Sequence, residues 1–278
     1  MKKIISSVVF ILMASAMIFA FDVTNYVQLK GTVQNFTRTN YEIASKFGEY
    51  FRTPRAKFTH TFNADGFETE SEEQNAQNEV LNKIKNSFDE QGRLKTQTGY
   101  GAKNEMIWKS ETVYNTKGDK TETSEYGKSG ELKGKTLYTY ENGKLTDESY
   151  YAGDGALVWK TLYAYGKNGK VSTKSQYYAD GSLDAELVYA YTEGGKLDSI
   201  SYVNEQGASY AKDYFRYGSD GSLGEITTTD SENKTIAREI YKYNASGNLT
   251  RISQYRVSKK FGTNTTELIG MSDFTYTK

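Results

Sequence analysis

Short stretches rich in tyrosine and aliphatic residues alternate along this chain with short polar stretches that contain glycine. The segments YAYGKNGKV (163–171), YAYTEGGKL (189–197) and YKYNASGNL (241–249) share one pattern: Tyr-x-Tyr, polar residues with Gly, one residue and an aliphatic. Side chains alternate between the two faces of a strand, so Tyr-x-Tyr places both rings on one face. The polar residues with Gly are typical of a tight hairpin turn. The pattern therefore predicts antiparallel strands joined by short turns.

The spacing of these stretches is regular. An aromatic residue precedes each main turn, and successive aromatics are 26 residues apart except for one step of 25: Phe62, Phe88, Tyr114, Tyr140, Tyr165, Tyr191, Tyr217 and Tyr243. A second turn lies roughly midway in the units, as in YGKSGEL (126–132). Self-similarity at a fixed period is the signature of a repeat architecture. We therefore predict an all-β fold, a repeat-built antiparallel β-meander with a 26-residue repeat. The sheet is open and single-layered, or it curls into a spiral or a partial barrel.

The first twenty residues have the form of a secretory signal peptide. Lys2 and Lys3 give a basic start, and the following residues carry no charge until Asp22. A basic start, an apolar segment and small residues near a cleavage site are the features that direct export. Cleavage after Ala16 and cleavage after Ala20 both fit the sequence, and so does an uncleaved membrane anchor.

The two ends of the mature chain fit the 26-residue pattern poorly. We divide the chain into the signal peptide (1–20), an N-terminal capping segment (21–60), the hairpin repeats (61–256) and a C-terminal capping strand (257–278). The two capping segments are expected to cover the free edges of the sheet. In the N-terminal segment, the apolar residues of IASKFGEYF recur at helical spacing, at Ile43, Phe47, Tyr50 and Phe51. This spacing predicts a short helix that Pro54 ends, with another strand as the alternative.

The composition agrees with a chain of strands and turns and narrows the function classes. The chain has 24 Tyr, 13 Phe, 25 Gly and one Pro, and its mean hydropathy is −0.71. Lys and Arg (35) balance Asp and Glu (35) without a basic stripe, which argues against nucleic-acid binding. The absence of cysteine excludes disulfides and thiolate chemistry. An exported chain of this kind fits the periplasm, the cell surface or the extracellular space of a bacterium.

No residue pattern indicates catalysis, a cofactor or a metal. His60 is the single histidine, so the sequence gives little support for a Ser-His-Asp site or for a metal site built from histidines. The turns that read Asp-Gly carry one acid each, whereas calcium sites gather several oxygen ligands in one loop. We therefore expect a protein that is not an enzyme and that has no catalytic, cofactor-binding or metal-binding residues.

The tyrosine rows are the best candidate for a ligand-binding face. Aromatic rings supply large amphipathic contact area, which suits sugar rings or a protein partner. The alternative is that tyrosine ladders hold the sheet together and bind nothing. Trp108 lies in the same part of the chain, and the candidate residues are Tyr138, Tyr140, Trp159, Tyr163, Tyr165, Tyr189, Tyr191, Tyr217, Tyr241 and Tyr243.

The segment YKYNASGNLTRIS resembles the tyrosine-rich YD-type repeat of Rhs-like and teneurin-like proteins, whose units read roughly Tyr-x-Tyr-Asp-x-x-Gly-x-Leu. The similarity covers residues 60 to 256. The Asp that follows the second Tyr is absent here, where Glu141, Gly166, Thr192, Gly218 and Asn244 stand instead. The resemblance implies β-hairpins and an exported bacterial envelope protein, and it carries no toxin activity across.

These features predict an exported, non-enzymatic envelope or surface repeat protein with a structural or protein-interaction role. The alternative is a glycan-binding or cell-wall-binding protein that uses the tyrosine face. The expected partner is an envelope or host protein, or a glycan. A transmembrane barrel is not expected, because strands such as STKSQYY and TETSEYG lack an apolar residue at every second position.

Overall fold

Eighteen β-strands make up most of the part of the chain that the structure describes. The computed structural model describes residues 29–260 and 263–277, so the predicted signal peptide lies outside the described residues. The strands are β1 Asn35–Lys46, β2 Glu49–Phe62, β3 Glu68–Asn75, β4 Val80–Phe88, β5 Leu94–Gly101, β6 Met106–Tyr114, β7 Lys120–Gly127, β8 Leu132–Glu141, β9 Lys144–Ala152, β10 Leu157–Tyr165, β11 Val171–Tyr178, β12 Leu183–Tyr191, β13 Leu197–Val203, β14 Ser209–Tyr217, β15 Leu223–Asp230, β16 Thr235–Tyr243, β17 Leu249–Lys260 and β18 Thr263–Thr277.

The sheet closes on itself. Each strand pairs antiparallel with the next strand along the chain, and β1 also pairs with β18, from Asn35 opposite Thr277 to Glu42 opposite Gly270. The predicted all-β antiparallel meander is therefore confirmed, and its form is an 18-stranded barrel. The segments expected to cap free edges contribute paired strands instead, since the pairing of β1 with β18 leaves the sheet without an uncovered edge strand.

The expectation that the chain forms no transmembrane barrel is wrong. It was based on the composition of single strands, and the closed barrel contradicts it, because a closed barrel is the architecture in which strands cross membranes. Strand composition does not report closure, which depends on the pairing of two strands at opposite ends of the chain.

Most hairpins use one kind of turn. In the β16–β17 turn, Asn244 N–H donates to Asn248 O and Gly247 N–H donates to Asn244 O. Gly247 has a φ of 81°, which glycine adopts without the steric strain of a side chain. Together these features are a type I turn followed by a left-handed residue, a common three-residue hairpin loop. Each such turn reverses the chain within a few residues, so consecutive strands become neighbours.

The short helix predicted around residues 43–51 is not present, and the alternative of another strand is correct. Ile43 belongs to β1 and Phe51 to β2, and the two strands pair directly, with Ile43 opposite Arg52. The turn between them is Phe47-Gly48, with φ values of 53° and 83°. The apolar spacing matched a helix, but the two-residue turn in the middle of the segment reverses the chain. Pro54 lies in β2 opposite Tyr41, next to an irregularity in the register.

The pairing divides the side chains between two faces that continue around the barrel, because cross-strand partners point to the same side. One face buries its large side chains, and six of them are between 3% and 7% exposed: Ile200, Tyr202, Phe215, Ile226, Tyr241 and Phe274. On the other face, Val113, Val158, Leu162 and Val188 are between 37% and 53% exposed. Side chains converge on the concave side of a closed sheet and diverge on the convex side. The buried face is therefore the inner face of the barrel.

The outer face carries ion pairs between neighbouring strands. Five of them lie at 2.5 to 3.3 Å: Lys83 with Glu70, Lys135 with Glu122, Lys160 with Asp147, Arg238 with Glu225 and Arg251 with Asp273. Opposite charges at facing positions stabilise a pair of strands. These ten charged residues therefore serve cross-strand pairing on the outer face.

One of these ion pairs extends across the closing seam. Arg251 on β17 donates to both carboxylate oxygens of Asp273 on β18, at 2.6 and 2.9 Å. Arg52 on β2 donates to the same carboxylate at 2.8 Å, so the network passes over β1. Partial burial alone would raise the pKa of Asp273, but the two arginines lower it below the ordinary value of 3.8. The ionised carboxylate thus links strands on both sides of the seam.

We predict that Asp273→Asn lowers the free energy of unfolding by about 1 to 2 kcal/mol at neutral pH. Because the native pKa lies below 3.8, the carboxylate stabilises the fold above that pH, and this contribution is lost as the pH falls through the native pKa. Urea unfolding of both proteins should therefore show a difference that shrinks in acid. Glu232→Gln is the control, since the Glu232 and Lys234 side chains are 67% and 71% exposed. Equal losses for the two variants at neutral pH would contradict the prediction.

Candidate functional site

The ten aromatic residues selected from the sequence share the inner face. They lie on the even-numbered strands β8, β10, β12, β14 and β16, where the register sets each of them inward: Tyr138, Tyr140, Trp159, Tyr163, Tyr165, Tyr189, Tyr191, Tyr217, Tyr241 and Tyr243. The sequence interpretation describes an exposed tyrosine face. In the structure this face lines the inside of the barrel, and Tyr241 is only 5% exposed.

The tyrosine that ends a strand bonds to the preceding hairpin. Six hydroxyls, which we call the rim tyrosines, donate to backbone carbonyls at 2.5 to 2.9 Å: Tyr114 to Leu94, Tyr165 to Leu145, Tyr191 to Val171, Tyr217 to Leu197, Tyr243 to Leu223 and Tyr276 to Leu249. Leu197 lies beyond the last ladder pair of β13 and β14, which is Ser199 with Tyr214. The hydroxyl therefore supplies a hydrogen bond at a strand end that the ladder no longer reaches.

A cation from a neighbouring turn lies over several of these rings. The Nζ atoms of Lys144, Lys170 and Lys196 lie 4.9, 5.3 and 4.8 Å from the ring centroids of three rim tyrosines, Tyr165, Tyr191 and Tyr217. Cation–π contacts of this kind contribute roughly 0.5 to 1 kcal/mol each at exposed positions. Each ring is thus held at its hydroxyl and at its face, which fixes the turns relative to each other around this end of the barrel.

A second row of tyrosines lies deeper and pairs with carboxylates. Tyr202 donates to Asp213 Oδ2 at 2.6 Å, and Thr228 donates to Oδ1 of the same carboxylate at 2.6 Å. Asp213 is 2% exposed. Burial raises the pKa of Asp213, and the two hydrogen bonds partly oppose that rise. Burial and the nearby carboxylate also raise the pKa of Tyr202, so its hydroxyl stays protonated as a donor.

The same pairing of tyrosine with an acid occurs elsewhere on the inner face. Tyr241 donates to Glu239, and hydrogen bonds also join Tyr163 to Glu148 and Tyr150 to Glu125. Burial raises the pKa of Glu125, and the hydrogen bond from Tyr150 lowers it. These hydroxyls and carboxylates satisfy one another across or along the strands.

Three large rings lie on the inner face between β6 and β10, and we call Trp108, Tyr150 and Trp159 the aromatic strip. A Cβ atom on Gly99 would lie 2.1 Å from Nε1 of Trp108, so the indole lies directly over the glycine backbone of β5. A Cβ atom on Gly134 would lie 2.4 Å from the Tyr150 hydroxyl. The Tyr150 and Trp159 rings stack with centroids 5.6 Å apart and an interplanar angle of 12°.

The aromatic strip has the chemistry of a surface for polar, ring-shaped ligands. Flat aromatic rings stack against apolar ring faces. Glu125 and Glu148, which bond to Tyr150 and Tyr163, are hydrogen-bond acceptors on the same face. A sugar ring offers an apolar face and a set of hydroxyl donors, so this combination of groups can bind it.

The sequence interpretation did not identify Tyr150, Glu125 or the glycines of the aromatic strip. The available signal was glycine inside a strand pattern, since such a residue marks a close approach of another group to the backbone. Gly99 and Gly134 each interrupt a strand, in KTQTGYG and LKGKTLY. His60 also faces inward, stacked on Phe36 at 4.3 Å and within 3.0 Å of Glu68.

Two kinds of feature are absent from the described residues. Within residues 29–260 and 263–277, no three or more His, Asp or Glu side chains are grouped so that they could hold a metal ion. Nor does that part of the chain form a helix of the length and apolarity needed to span a membrane.

Comparisons with known proteins give structural likenesses at low sequence identity. No protein-family model matches it, and no curated protein sequence matches it. A porin-like protein from Bacteroides uniformis is 10% identical, with 90% of this chain and 99% of that chain covered and a TM-score of 0.47. A porin-like protein from Bacteroides vulgatus is 12% identical, with 88% and 98% covered and a TM-score of 0.32. TcdB2-TccC3 without its hypervariable C-terminal region is 12% identical, with 82% and 16% covered and a TM-score of 0.31.

We predict that Tyr217→Phe lowers the free energy of unfolding by about 1 to 2 kcal/mol, because it leaves the Leu197 carbonyl without its hydroxyl donor. Tyr210→Phe is the matched control, since Tyr210 is 42% exposed and is not a rim tyrosine. Denaturant unfolding followed by circular dichroism measures both. Equal stability of Tyr217→Phe and the parent protein would show that the rim hydroxyls do not hold the hairpins together.

We predict that Gly99→Ala displaces the Trp108 indole, because the new methyl group would lie 2.1 Å from Nε1. The expected results are a shift of the tryptophan fluorescence to longer wavelength and a loss of about 1 to 3 kcal/mol in the free energy of unfolding. Gly224→Ala is the control in another strand, because the nearest atom to its Cβ is a carbonyl oxygen at 3.7 Å. An unchanged spectrum for Gly99→Ala would contradict the flat placement of Trp108.

Proposed function

We propose that this chain is an exported, non-enzymatic bacterial envelope protein whose barrel has a structural or protein-interaction role. We also propose that it is built from a 26-residue repeat of the YD type, and that an envelope or host protein is its partner. The observation that carries the proposal is the bonding of the rim tyrosines. Successive hydroxyl donors such as Tyr191, Tyr217 and Tyr243 are 26 residues apart and make the same bond to a carbonyl.

The proposal of a non-enzymatic role draws support from the inner face. The Tyr202 hydroxyl and the Asp213 carboxylate bond to each other, and Asp213 also accepts from Thr228. Catalytic groups act on a substrate when they are within reach of it and poised to exchange a proton. Groups that are buried and bonded to each other favour a role in stability.

A glycan-binding function is the second candidate, and the aromatic strip favours it. Trp108 lies flat over Gly99, and Trp159 stacks on Tyr150, so broad ring surfaces follow the inner wall. Stacking on such rings would bind a cell-wall sugar, with Glu125 and Glu148 accepting hydrogen bonds from its hydroxyls. The rim tyrosines contribute less to this candidate, because their hydroxyls are already bonded to carbonyls.

One pair of variants separates the two candidates. We predict that Trp108→Ala combined with Trp159→Ala leaves envelope fractionation and partner capture unchanged, because the proposed role does not use the aromatic strip. The measurements are co-sedimentation with peptidoglycan and capture of envelope proteins by the parent and the variant. A combination of Tyr126→Ala and Tyr214→Ala is the control, since the register places both tyrosines on the outer face, opposite Lys109 and Ser199.

Suppose that the parent and the control bind glycan and that the folded tryptophan variant does not. The glycan candidate would then replace the leading proposal. Absence of the protein from the envelope fraction of the cells that export it would overturn both. Circular dichroism of each variant establishes that it is folded.

A further inference from the structure

At one end of the barrel the β1–β2 hairpin continues past its ladders with β3 and β18, and the neighbouring β17–β18 hairpin also continues there, from Gly270 to Thr263. β18 pairs with β1 only as far as Glu42, and β3 pairs with β2 only as far as Ala56. Residues 43–55, which we call the tongue, therefore form a two-stranded ribbon with both outer edges unpaired. The six residues from Ala56 to Tyr50 (56 − 50) carry the ribbon about 20 Å past the last pair of β2 with β3, at about 3.3 Å per residue.

The end of the tongue is aromatic and exposed. Phe47 is 105% exposed, and Tyr50 and Phe51 are 52% and 50% exposed. Phe47 also has a φ of 53°, in the left-handed region. Glycine and asparagine are the usual residues at this turn position, because a bulky side chain is strained there. The same residue is thus both strained and fully open to water.

These two unfavourable features at one residue call for a functional explanation. Backbone strain at an exposed position is retained where the residue acts in binding. A two-stranded ribbon by itself is marginally stable in water. A large ring at its tip adds nothing to that stability, because the ring touches nothing else in the barrel at full exposure. The tip therefore has the properties of a group that contacts something outside the protein.

Basic residues flank the aromatic tip. The tongue contains Lys46, Arg52 and Arg55 against one acid, Glu49, so it has a net charge of +2 (3 − 1), whereas the whole chain is neutral. Arg52 and Arg55 bond to Asp273 and Glu42 at the base of the tongue, and their side chains are still 50% and 67% exposed. Lysine and arginine near an apolar element can keep their charges in the headgroup layer.

We propose that the tongue docks the protein on a lipid bilayer, with Phe47, Tyr50 and Phe51 in the interfacial zone and the basic residues at anionic headgroups. Aromatic rings concentrate at this zone of a membrane, and basic residues near the surface bind anionic lipid. The tip is convex and narrow, which suits insertion between headgroups better than contact with a folded protein surface. The tongue thus contacts a membrane through its tip, and this role goes beyond the function proposed for the barrel.

The experiment is sedimentation of the protein, expressed from its full-length gene, with vesicles of phosphatidylcholine and phosphatidylglycerol. The parent should sediment with the vesicles. The combined variant Phe47→Ser, Tyr50→Ser and Phe51→Ser should bind the vesicles at least about tenfold more weakly than the parent. The control variant, Val113→Ser, Val158→Ser and Leu162→Ser, removes exposed apolar residues of the outer wall and should bind as the parent does.

A single substitution separates docking from folding. Phe47→Asn suits the left-handed position better, so it should leave the free energy of unfolding unchanged or raise it, and still weaken vesicle binding. Two results would overturn the proposal: no vesicle binding by the parent, or equal binding by Phe47→Asn and the parent. If the parent does not bind vesicles and the variants differ from it in oligomeric state, the tip is instead a contact between copies of the chain.

Discussion

The pairing of β1 with β18 is the contact on which the rest of this structure depends. It joins Asn35–Glu42 to Gly270–Thr277, so strands from opposite ends of the chain share one ladder. Without it, the meander would present two unpaired edge strands, which recruit other chains. With it, the sheet acquires an inside and an outside. The carboxylate of Asp273, shared by Arg251 and Arg52, adds a polar link on the outer side of the same seam.

Closure of the sheet changes the role of the tyrosines. On an open sheet they would be an exposed row, whereas on the inner wall they serve as connectors between hairpins. A rim hydroxyl satisfies a carbonyl that the ladder leaves at a strand end, and a lysine from a neighbouring turn covers the ring. The deeper tyrosines donate hydrogen bonds to carboxylates such as Asp213. Without these hydrogen bonds, burial would make the ionised carboxylate still less favourable. Polar groups can thus line an interior that has few aliphatic residues.

Two surfaces carry aromatic side chains that the fold itself does not require. The aromatic strip offers broad rings along the inner wall, over glycines that allow the rings to lie flat. The tongue offers aromatic side chains at the end of a ribbon whose outer edges are unpaired. The first surface suits a ligand that enters the barrel, and the second suits a flat surface outside it. Both depend on residues that break a local rule, namely glycine inside a strand and phenylalanine at a left-handed turn position.

The sequence by itself determined the local architecture. Alternation within strands such as YKY and glycine in turns such as NASGN act over a few residues, so strand, turn, antiparallel order and the shared face of Tyr241 and Tyr243 could be predicted from it. The segment around Phe47 was predicted incorrectly as a helix, because its apolar spacing fits two kinds of element and the choice depends on pairing with β2. Only the tertiary structure decided that the sheet closes, that the tyrosine face is the inside and that Phe47 projects into water. These properties depend on contacts such as Asn35 with Thr277, which are 242 residues apart and leave no periodic signal in either strand.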